Sequence, residues 1–234
     1  MEALVGPAFW IGLFKIVWIN IILSGDNAVV IALAARGLPP AQQKKAVMFG
    51  SGAAVVLRIA LTLVAAKLME FPFVEIVGGL LLLWIGVGLL KGEEDSDDDR
   101  NPAQAGMLAA VRTILLADLV MSLDNVIAVA AAAQGDMVLL TLGLAISIPL
   151  VIFGSTLMIK LMERFPVIVT LGAALIGWVA GETIMSDHVL ADTVAAHRWL
   201  HYAAAAAGAI LVVALGKWLA ARAEGGRQTS ILNS

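Results

Sequence analysis

The chain has 234 residues, of which 61% are hydrophobic and only 14% are charged, and its mean hydropathy is +0.95. A soluble domain carries about 25% charged residues, so this composition excludes an ordinary soluble protein and indicates an integral membrane protein. The absence of cysteine excludes disulfides, thiolate metal sites and cysteine nucleophiles, whereas the net charge of −3 excludes little by itself.

Seven apolar segments follow one another along the chain, each near the roughly 20 residues that a spanning helix needs. Proline cannot continue a helix, so Pro39-Pro40, Pro72 and Pro166 predict short turns between neighbouring segments. We therefore expect an all-α polytopic membrane protein whose spanning helices cover residues 9–35, 46–68, 74–90, 107–133, 138–162, 167–185 and 202–221.

The connection at residues 91–106 is strongly acidic, with six acids between Glu93 and Asp99. We predict a solvated linker there, and a weak device that concentrates cations is the alternative. Eleven of the fifteen lysines and arginines lie on the side of the membrane that holds this linker, and three lie on the other side. The positive-inside rule therefore predicts a cytoplasmic linker, a cytoplasmic carboxyl terminus and an external amino terminus.

An internal repeat relates the first and fourth segments without a gap, at an offset of 98 residues (118 minus 20). We therefore predict two three-helix repeats, residues 9–90 and 107–185, followed by an unpaired helix at 202–221. Because three is odd, the second repeat is inverted in the membrane, and inverted repeats place their site at the midplane. The matched pairs are Asn20 with Asp118, Ser24 with Ser122, Asp26 with Asp124, Asn27 with Asn125, and Gly37 with Gly135.

Two aspartate–asparagine pairs lie in the middle of apolar segments. A carboxylate at that depth costs about 2.5–3.5 kcal/mol on insertion scales, so intramembrane acids mark ion pathways by default, and a polar clasp between helices is the alternative. Gly25 marks a place where the first helix can loosen and release carbonyl oxygens, whereas Leu123 predicts a milder break in the fourth. At 100° per residue, two polar stripes form, Asn20-Ser24-Asn27 and Asp118-Ser122-Asn125, with Asp26 and Asp124 beside them.

These ligands are all oxygen atoms, which suit a hard cation such as Mg²⁺, Ca²⁺ or Mn²⁺ better than Zn²⁺ or Cu⁺. Arg58, in the middle of the second segment, is either an internal counter-ion for the carboxylates or half of a static salt bridge. Glu182 is a candidate for gating or for additional charge. His197 and His201 are interpreted as interfacial polarity, with a surface metal site on a shared helical face as the alternative.

The motifs Ser24-Gly25-Asp26-Asn27 and Ser122-Leu123-Asp124-Asn125, and the spacing between them, resemble the tellurium-resistance TerC family of membrane proteins over nearly the whole chain. The resemblance implies a seven-helix membrane protein of metal homeostasis, chiefly manganese export. It also implies acidic metal positions at Asp26 and Asp124, with Asn27, Asn125 and Asp118 alongside. Other members are linked to tellurite resistance and to membrane-protein assembly, so the family alone does not decide the substrate.

We therefore expect an exporter of a divalent metal, with Mn²⁺ first, that works by alternating access in the bacterial cytoplasmic membrane. Because the metal is the substrate, we expect no cofactor. The sequence has no Gly-x-Ser-x-Gly motif, no His-Glu-x-x-His motif and no cysteine, so we expect no enzymatic activity. The expected partners are the metal ion and the lipid bilayer, with no nucleic acid and with a homodimer as an open possibility. The alternatives are transport of Ca²⁺ or an organic cation, and a scaffold for membrane-protein assembly. The expected metal ligands are Asp26, Asn27, Asp124, Asn125, Asp118 and Asn20, supported by Ser24, Ser122, Arg58 and Glu182.

Overall fold

The structure, a computed structural model, describes residues 7–68, 71–91, 102–133 and 136–232. These residues are helical almost throughout and contain no strand, which confirms the predicted all-α class. Most of the predicted acidic linker, residues 92–101, lies outside the described residues. The helices are α1 (Pro7–Leu23), α2 (Gly25–Ala35), α3 (Pro40–Leu68), α4 (Val74–Lys91), α5 (Pro102–Ala133), α6 (Met137–Arg164), α7 (Val167–Ser186), α8 (Ala191–Ala196) and α9 (Trp199–Leu232).

The membrane spans agree with the seven predicted segments, except that the first segment is two helices. Among the described residues, six helices are long and apolar enough to cross a membrane, and α1 with α2 forms a seventh span if the bent pair is counted as one. The two helices are bent by 51° at Ser24, beside the glycine that was expected to loosen the helix. The corresponding region of α5 is helical without interruption through Leu123, so the expectation of a milder break there is wrong.

Large apolar side chains cover the outside of the first helix. Trp10, Phe14 and Trp18 on α1 are each more than half exposed, and the rings of Phe14 and Trp18 stack at 6.1 Å. In water such a surface would be an aggregation site, whereas lipid tails solvate it without penalty. The exposure pattern is therefore the one expected of a protein surrounded by a bilayer.

The first of two compact packing units contains α1, α2, α3, α5 and α6, that is, residues 1–71 and 96–161. Its apolar core joins Leu13 and Ile16 of α1 to Val129 of α5 and to Leu140 and Leu144 of α6. Lipid tails are as apolar as leucine, so these contacts stabilise the unit through close packing more than through exclusion of water. The unit takes helices from both predicted repeats, and the repeat boundaries themselves stay a prediction.

The second packing unit contains α4, α7, α8 and α9, from residues 72–95 and 162–234. Small residues let α7 and α9 approach at backbone distance: a Cβ added at Gly208 would overlap the carbonyl oxygen of Gly177, and one added at Gly181 would overlap that of Ala204. Close backbone approach at small residues is a common way for membrane helices to associate. Packing in this unit therefore depends on the absence of side chains at these glycines.

A buried carboxylate after α7 holds the start of α4 within the same unit. Asp187 accepts hydrogen bonds from the backbone N–H groups of Phe73, Glu75, Ile76 and Val189 at 3.0–3.4 Å. Phe73 has φ of 69°, a left-handed conformation that disfavours a bulky residue by about 1–2 kcal/mol. Desolvation alone would raise the pKa of Asp187, but the four donors outweigh it, so the pKa lies below its usual range.

The histidine-containing connection between α7 and α9 does not form one continuous helix. His197 follows the last residue of α8, and α9 begins at Trp199, so His197 and His201 are not on one helix. The alternative of a metal site on a shared helical face is therefore wrong, because the backbone leaves helical geometry at His197 (φ −135°, ψ 71°). His201 instead places its Nε2 atom 3.7 Å from Oε1 of Glu182.

Candidate functional site

The break between α1 and α2 gives the first motif its geometry. The backbone N–H of Ser24 bonds weakly to the carbonyl of Ile21 at 3.4 Å, a tightened turn in place of the regular bond to residue 20. A Cβ at Gly25 would meet nothing within 4 Å, so glycine is not needed there for packing. Its contribution is to weaken the helix at this point.

The second motif reaches the break directly. The Asn125 Nδ2 atom donates to the carbonyl oxygen of Leu23, the last residue of α1, at 3.3 Å. A carbonyl that has lost its helical partner thus gains one from the other motif. The two asparagine-containing motifs therefore lie together within the first unit.

Asp26 lies in the first turn of α2. Its Oδ1 atom accepts the backbone N–H of Asn27 at 2.8 Å, and a carboxylate in this position interacts favourably with the positive end of the helix dipole. The side chain is partly exposed, whereas Asn27 is buried. Asp124 is part of the unbroken helix α5, and its side chain lies outside the described residues.

A single guanidinium bridges the two polar stripes. Arg58 of α3 is buried, and its Nη2 atom forms an ion pair with Oδ1 of Asp118 at 2.5 Å. The other stripe is bound through Nη1, which donates to Asn20 Oδ1 at 2.6 Å and to Ser24 Oγ at 3.3 Å. Arg58 Nε donates to Ser122 Oγ at 3.1 Å, and that hydroxyl donates to Asp118 Oδ2 at 3.1 Å. Arg58 is therefore paired with a buried acid, Asp118, and also binds Ser24 and Ser122, the two serines that the repeat matches.

A small cavity of about 20 Å³ adjoins this network inside the first unit. It is large enough for roughly one water-sized species. Asp118 is the only carboxylate on its wall among the described residues. The polar lining consists of Asn20, Ser24, Asn27, Ser51, Arg58 and Asp118, and aliphatic residues such as Ile148 and Val151 complete it.

Two of the lining groups have unused hydrogen-bonding capacity. Asn27 Nδ2 and Ser51 Oγ are buried and have no hydrogen-bond partner among the described residues. Ser147, Ser155 and Thr183, by comparison, donate to the carbonyl four residues earlier in their own helices, at 2.7–2.9 Å. Buried polar groups are nearly always satisfied, so an exception on a cavity wall indicates a ligand or a water at that point.

The structure therefore brings together six of the predicted residues around Arg58 and the cavity: Asn20, Ser24, Asn27, Arg58, Asp118 and Ser122. Asn125 joins them through Leu23, and Asp26 is adjacent in sequence to Asn27 but is not part of the cavity wall. Glu182 belongs to the second unit. Sequence analysis missed Ser51, although its seven-residue spacing from Arg58 places both on one face of α3.

The ligand chemistry of the site is that of oxygen atoms. Among the residues that the structure describes, no three His, Cys, Asp or Glu side chains converge as a metal cluster. The wall offers instead one carboxylate, two amides and two hydroxyls, and the guanidinium of Arg58 already forms an ion pair with the carboxylate. Such a set can bind a hard cation of water-like size if Arg58 yields its hydrogen bonds.

Comparison with known proteins gives a consistent picture. The family described as "Integral membrane protein TerC family" matches residues 5–224. The uncharacterized membrane protein YjbE of Bacillus subtilis is 42% identical over 189 residues, which cover 81% of this chain and 86% of YjbE. The uncharacterized membrane protein YceF of the same organism is 27% identical over 76% of this chain and 72% of its own length. The inner membrane protein YoaE of Escherichia coli K12 is 28% identical, and the match spans 36% of YoaE. No solved structure matches the chain.

Proposed function

We propose, from the premise that this chain belongs to the TerC family of integral membrane proteins, that it transports a divalent metal cation across the membrane. Mn²⁺ is the first candidate for the cation, and export is the proposed direction. The proposed membrane is the bacterial inner membrane, since the related YoaE of Escherichia coli is an inner membrane protein. The amino terminus is proposed to be external, on the charge distribution of the loops.

The observation that carries the proposal is the oxygen-lined cavity beside Arg58. An uncharged structural clasp would satisfy its own hydrogen bonds, whereas this wall leaves Asn27 Nδ2 and Ser51 Oγ without partners among the described residues. If the Asn27 amide is flipped, its oxygen faces the cavity, since amide oxygen and nitrogen are distinguished only by their hydrogen bonds. Asp118 then contributes the charge, and Asn27, Asn20 and the serines contribute neutral oxygens.

The size of the cavity favours a metal ion over an organic cation. About 20 Å³ holds one water-sized species, and a dehydrated divalent ion is no larger than that. An organic ammonium would require side chains around it to move away. Carboxylate, amide and hydroxyl oxygens suit Mg²⁺, Ca²⁺ and Mn²⁺, so within the hard cations the choice of Mn²⁺ rests on the family resemblance.

The proposed cycle is alternating access. The metal enters from the cytoplasm, exchanges its water shell for protein oxygens around Asp118 and the paired motifs, and leaves to the outside. Asp26 and Asp124, one in each motif, are proposed to guide the ion into and out of the cavity or to complete its ligand set. The break at Ser24 gives α1 and α2 a joint at which such a path can open.

The test is metal flux in proteoliposomes that contain purified protein. We expect wild type to carry Mn²⁺ down an imposed gradient, and Asp26→Asn, Asp124→Asn and Asp118→Asn to reduce the initial rate by at least tenfold. Asp192→Asn is the matched control, because Asp192 is exposed in the short helix α8 of the second unit. Equal rates in all four variants would contradict the proposal.

A scaffold for membrane-protein assembly is the second candidate, and the same variants separate it. A scaffold has no need of an ion in the cavity, so the aspartate variants would retain the cellular activity of the wild type. Metal accumulation in cells that lack the protein, complemented with each variant, measures this difference. Raised intracellular manganese that wild type corrects and Asp118→Asn does not would favour transport.

A further inference from the structure

The hydrogen bonds of Arg58 go to the residues that a metal in the cavity would use. We propose that Arg58 is a tethered internal cation, which occupies the site when no metal is bound and competes with the metal for the same oxygens. This inference rests on the proposed transport function. In this inference Arg58 is a positioning residue that sets the affinity for the metal and permits repeated transport cycles. It is more than half of a static salt bridge.

The geometry supports competition. Asn20 and Ser24 on one stripe, and Asp118 and Ser122 on the other, all lie within 3.3 Å of Arg58 nitrogen atoms. Of the oxygens on the cavity wall, those of Asn20, Ser24 and Asp118 are committed to the guanidinium, whereas Ser51 Oγ is not. An entering metal therefore finds room and an unused oxygen on one side, and must take the remaining ligands from Arg58.

The charges of Arg58, Asp118 and a divalent ion also support competition between Arg58 and the metal. A buried carboxylate without a counter-ion is strongly destabilised, and Arg58 neutralises Asp118 at 2.5 Å. Bringing a divalent ion to the same carboxylate places two cations close together in a region of low dielectric constant, where repulsion is strong. Metal binding therefore pushes Arg58 away from Asp118, and the return of Arg58 pushes the metal out. A ligand that replaces an internal one binds less tightly than it would to a vacant site.

The metal-free state of the site depends most on the ion pair between Arg58 and Asp118. With Arg58 in place, Asp118, the one carboxylate on the cavity wall among the described residues, is paired with a cation when no metal is bound, so the transporter can return to its starting state empty. Without Arg58, the empty site would hold an unpaired buried acid, and the return would be slow unless a metal ion remained bound. Net transport needs the empty return, whereas exchange of one metal ion for another does not.

The experiment compares Arg58→Gln and Arg58→Lys with wild type. Arg112→Gln is the matched control, since Arg112 is an exposed arginine on α5 and its loss removes the same charge away from the cavity. Mn²⁺ affinity is measured by titration calorimetry on protein in detergent. Two fluxes are measured in proteoliposomes: net Mn²⁺ efflux into metal-free buffer, and exchange of radioactive Mn²⁺ against external Mn²⁺.

We expect Arg58→Gln to bind Mn²⁺ at least tenfold more tightly than wild type, to keep exchange within about threefold and to lose net efflux by at least tenfold. A lysine carries all its N–H donors on one nitrogen and cannot reach all four acceptors, so Arg58→Lys should lie between Arg58→Gln and wild type in affinity. Arg112→Gln should match wild type in all three measurements. If Arg58 had only a structural role, Arg58→Gln would bind Mn²⁺ more weakly than wild type and would lose exchange and net efflux in parallel.

Unchanged or weaker Mn²⁺ binding in both Arg58 variants, or exchange and net efflux that fall together, would overturn the inference. If Arg58→Gln is not monodisperse, Arg58→Lys decides, because it keeps the positive charge. If neither variant folds, Arg58 has a structural role and the inference is wrong. Failure of the underlying transport proposal is distinguishable, because then wild type itself neither binds nor carries Mn²⁺.

Discussion

The ion pair between Arg58 and Asp118 makes a quantitative prediction about stability. Both residues are buried, at 4% and 6% exposure, so neither charge can be solvated by water when its partner is removed. Breaking such a pair from one side is strongly destabilising, by about 3–5 kcal/mol, because it leaves an uncompensated buried charge. Asp118→Asn keeps an oxygen for Arg58 Nη2 and should therefore lie near 3 kcal/mol, at the lower end of that range.

Removing both charges together should be much less damaging than the two single changes suggest. The double variant Arg58→Gln with Asp118→Asn buries no charge at this pair, and the remaining amides and hydroxyls can bond to one another. We expect a coupling free energy of about 2–3 kcal/mol between the two positions, the upper part of the usual range for contacting residues. For a chain of this length, about 3 kcal/mol corresponds to a fall in unfolding temperature of about 6–12 °C.

The assay is thermal unfolding of metal-free protein in detergent, followed by tryptophan fluorescence for wild type, the two single variants and the double variant. The expected result is two large single decreases and a double decrease clearly smaller than their sum. Additive decreases would refute the reasoning, because they would mean that Arg58 and Asp118 contribute independently. Arg112→Gln again serves as the control and should unfold within about 2 °C of wild type.

Three further predictions concern other parts of the chain. Asp187→Ala should destabilise the second unit by about 2 kcal/mol in thermal unfolding, the upper end for a lost helix cap, because it leaves four N–H donors without their acceptor. The pKa of Asp187 is lower in the folded protein, so the stabilisation by Asp187 is fully present above the unfolded pKa of about 3.9 and is lost as the pH falls through the folded pKa. In unfolding scans from pH 7 to pH 3, the unfolding temperature of wild type should therefore show a decline that Asp187→Ala lacks. Ser51→Ala should leave metal-free stability within about 0.5 kcal/mol while weakening Mn²⁺ binding several-fold, and a large loss of stability in unfolding scans would contradict its assignment to the cavity. Gly208→Leu should prevent α7 and α9 from packing and yield aggregated protein in size-exclusion chromatography, whereas Gly25→Ala, with open space around it, should remain monodisperse.

The spanning helices and the two polar stripes that adjoin the cavity could be predicted from the sequence. Hydropathy determines spanning helices well, because unsatisfied backbone groups are so costly in lipid that apolar runs have few alternatives. Gly25 indicated where the first helix would break, and the matched stripes identified Asn20, Ser24, Asp118 and Ser122 as neighbours of the site. Helical periodicity was sufficient for this because it determines which side chains share a face.

The contacts across helices could not be predicted in the same way. Periodicity places Arg58 on a face of α3 but does not say which helix that face meets, and its partners lie 34 to 64 residues away in sequence. Ser51 looks like any helical serine, since most of them bond to their own backbone; only the structure shows that this one does not. Asp187 likewise caps a helix more than 100 residues earlier, a relation without a local signal.

The most direct test of the central claim is the number of Mn²⁺ ions that the purified protein binds at equilibrium. Equilibrium dialysis of protein in detergent should give one ion per chain for wild type and for Asp192→Asn, and markedly less than one for Asp118→Asn and for Asn27→Ala under the same conditions. Binding that is equal in wild type and in both cavity variants would contradict the assignment of the cavity beside Arg58 as the metal site.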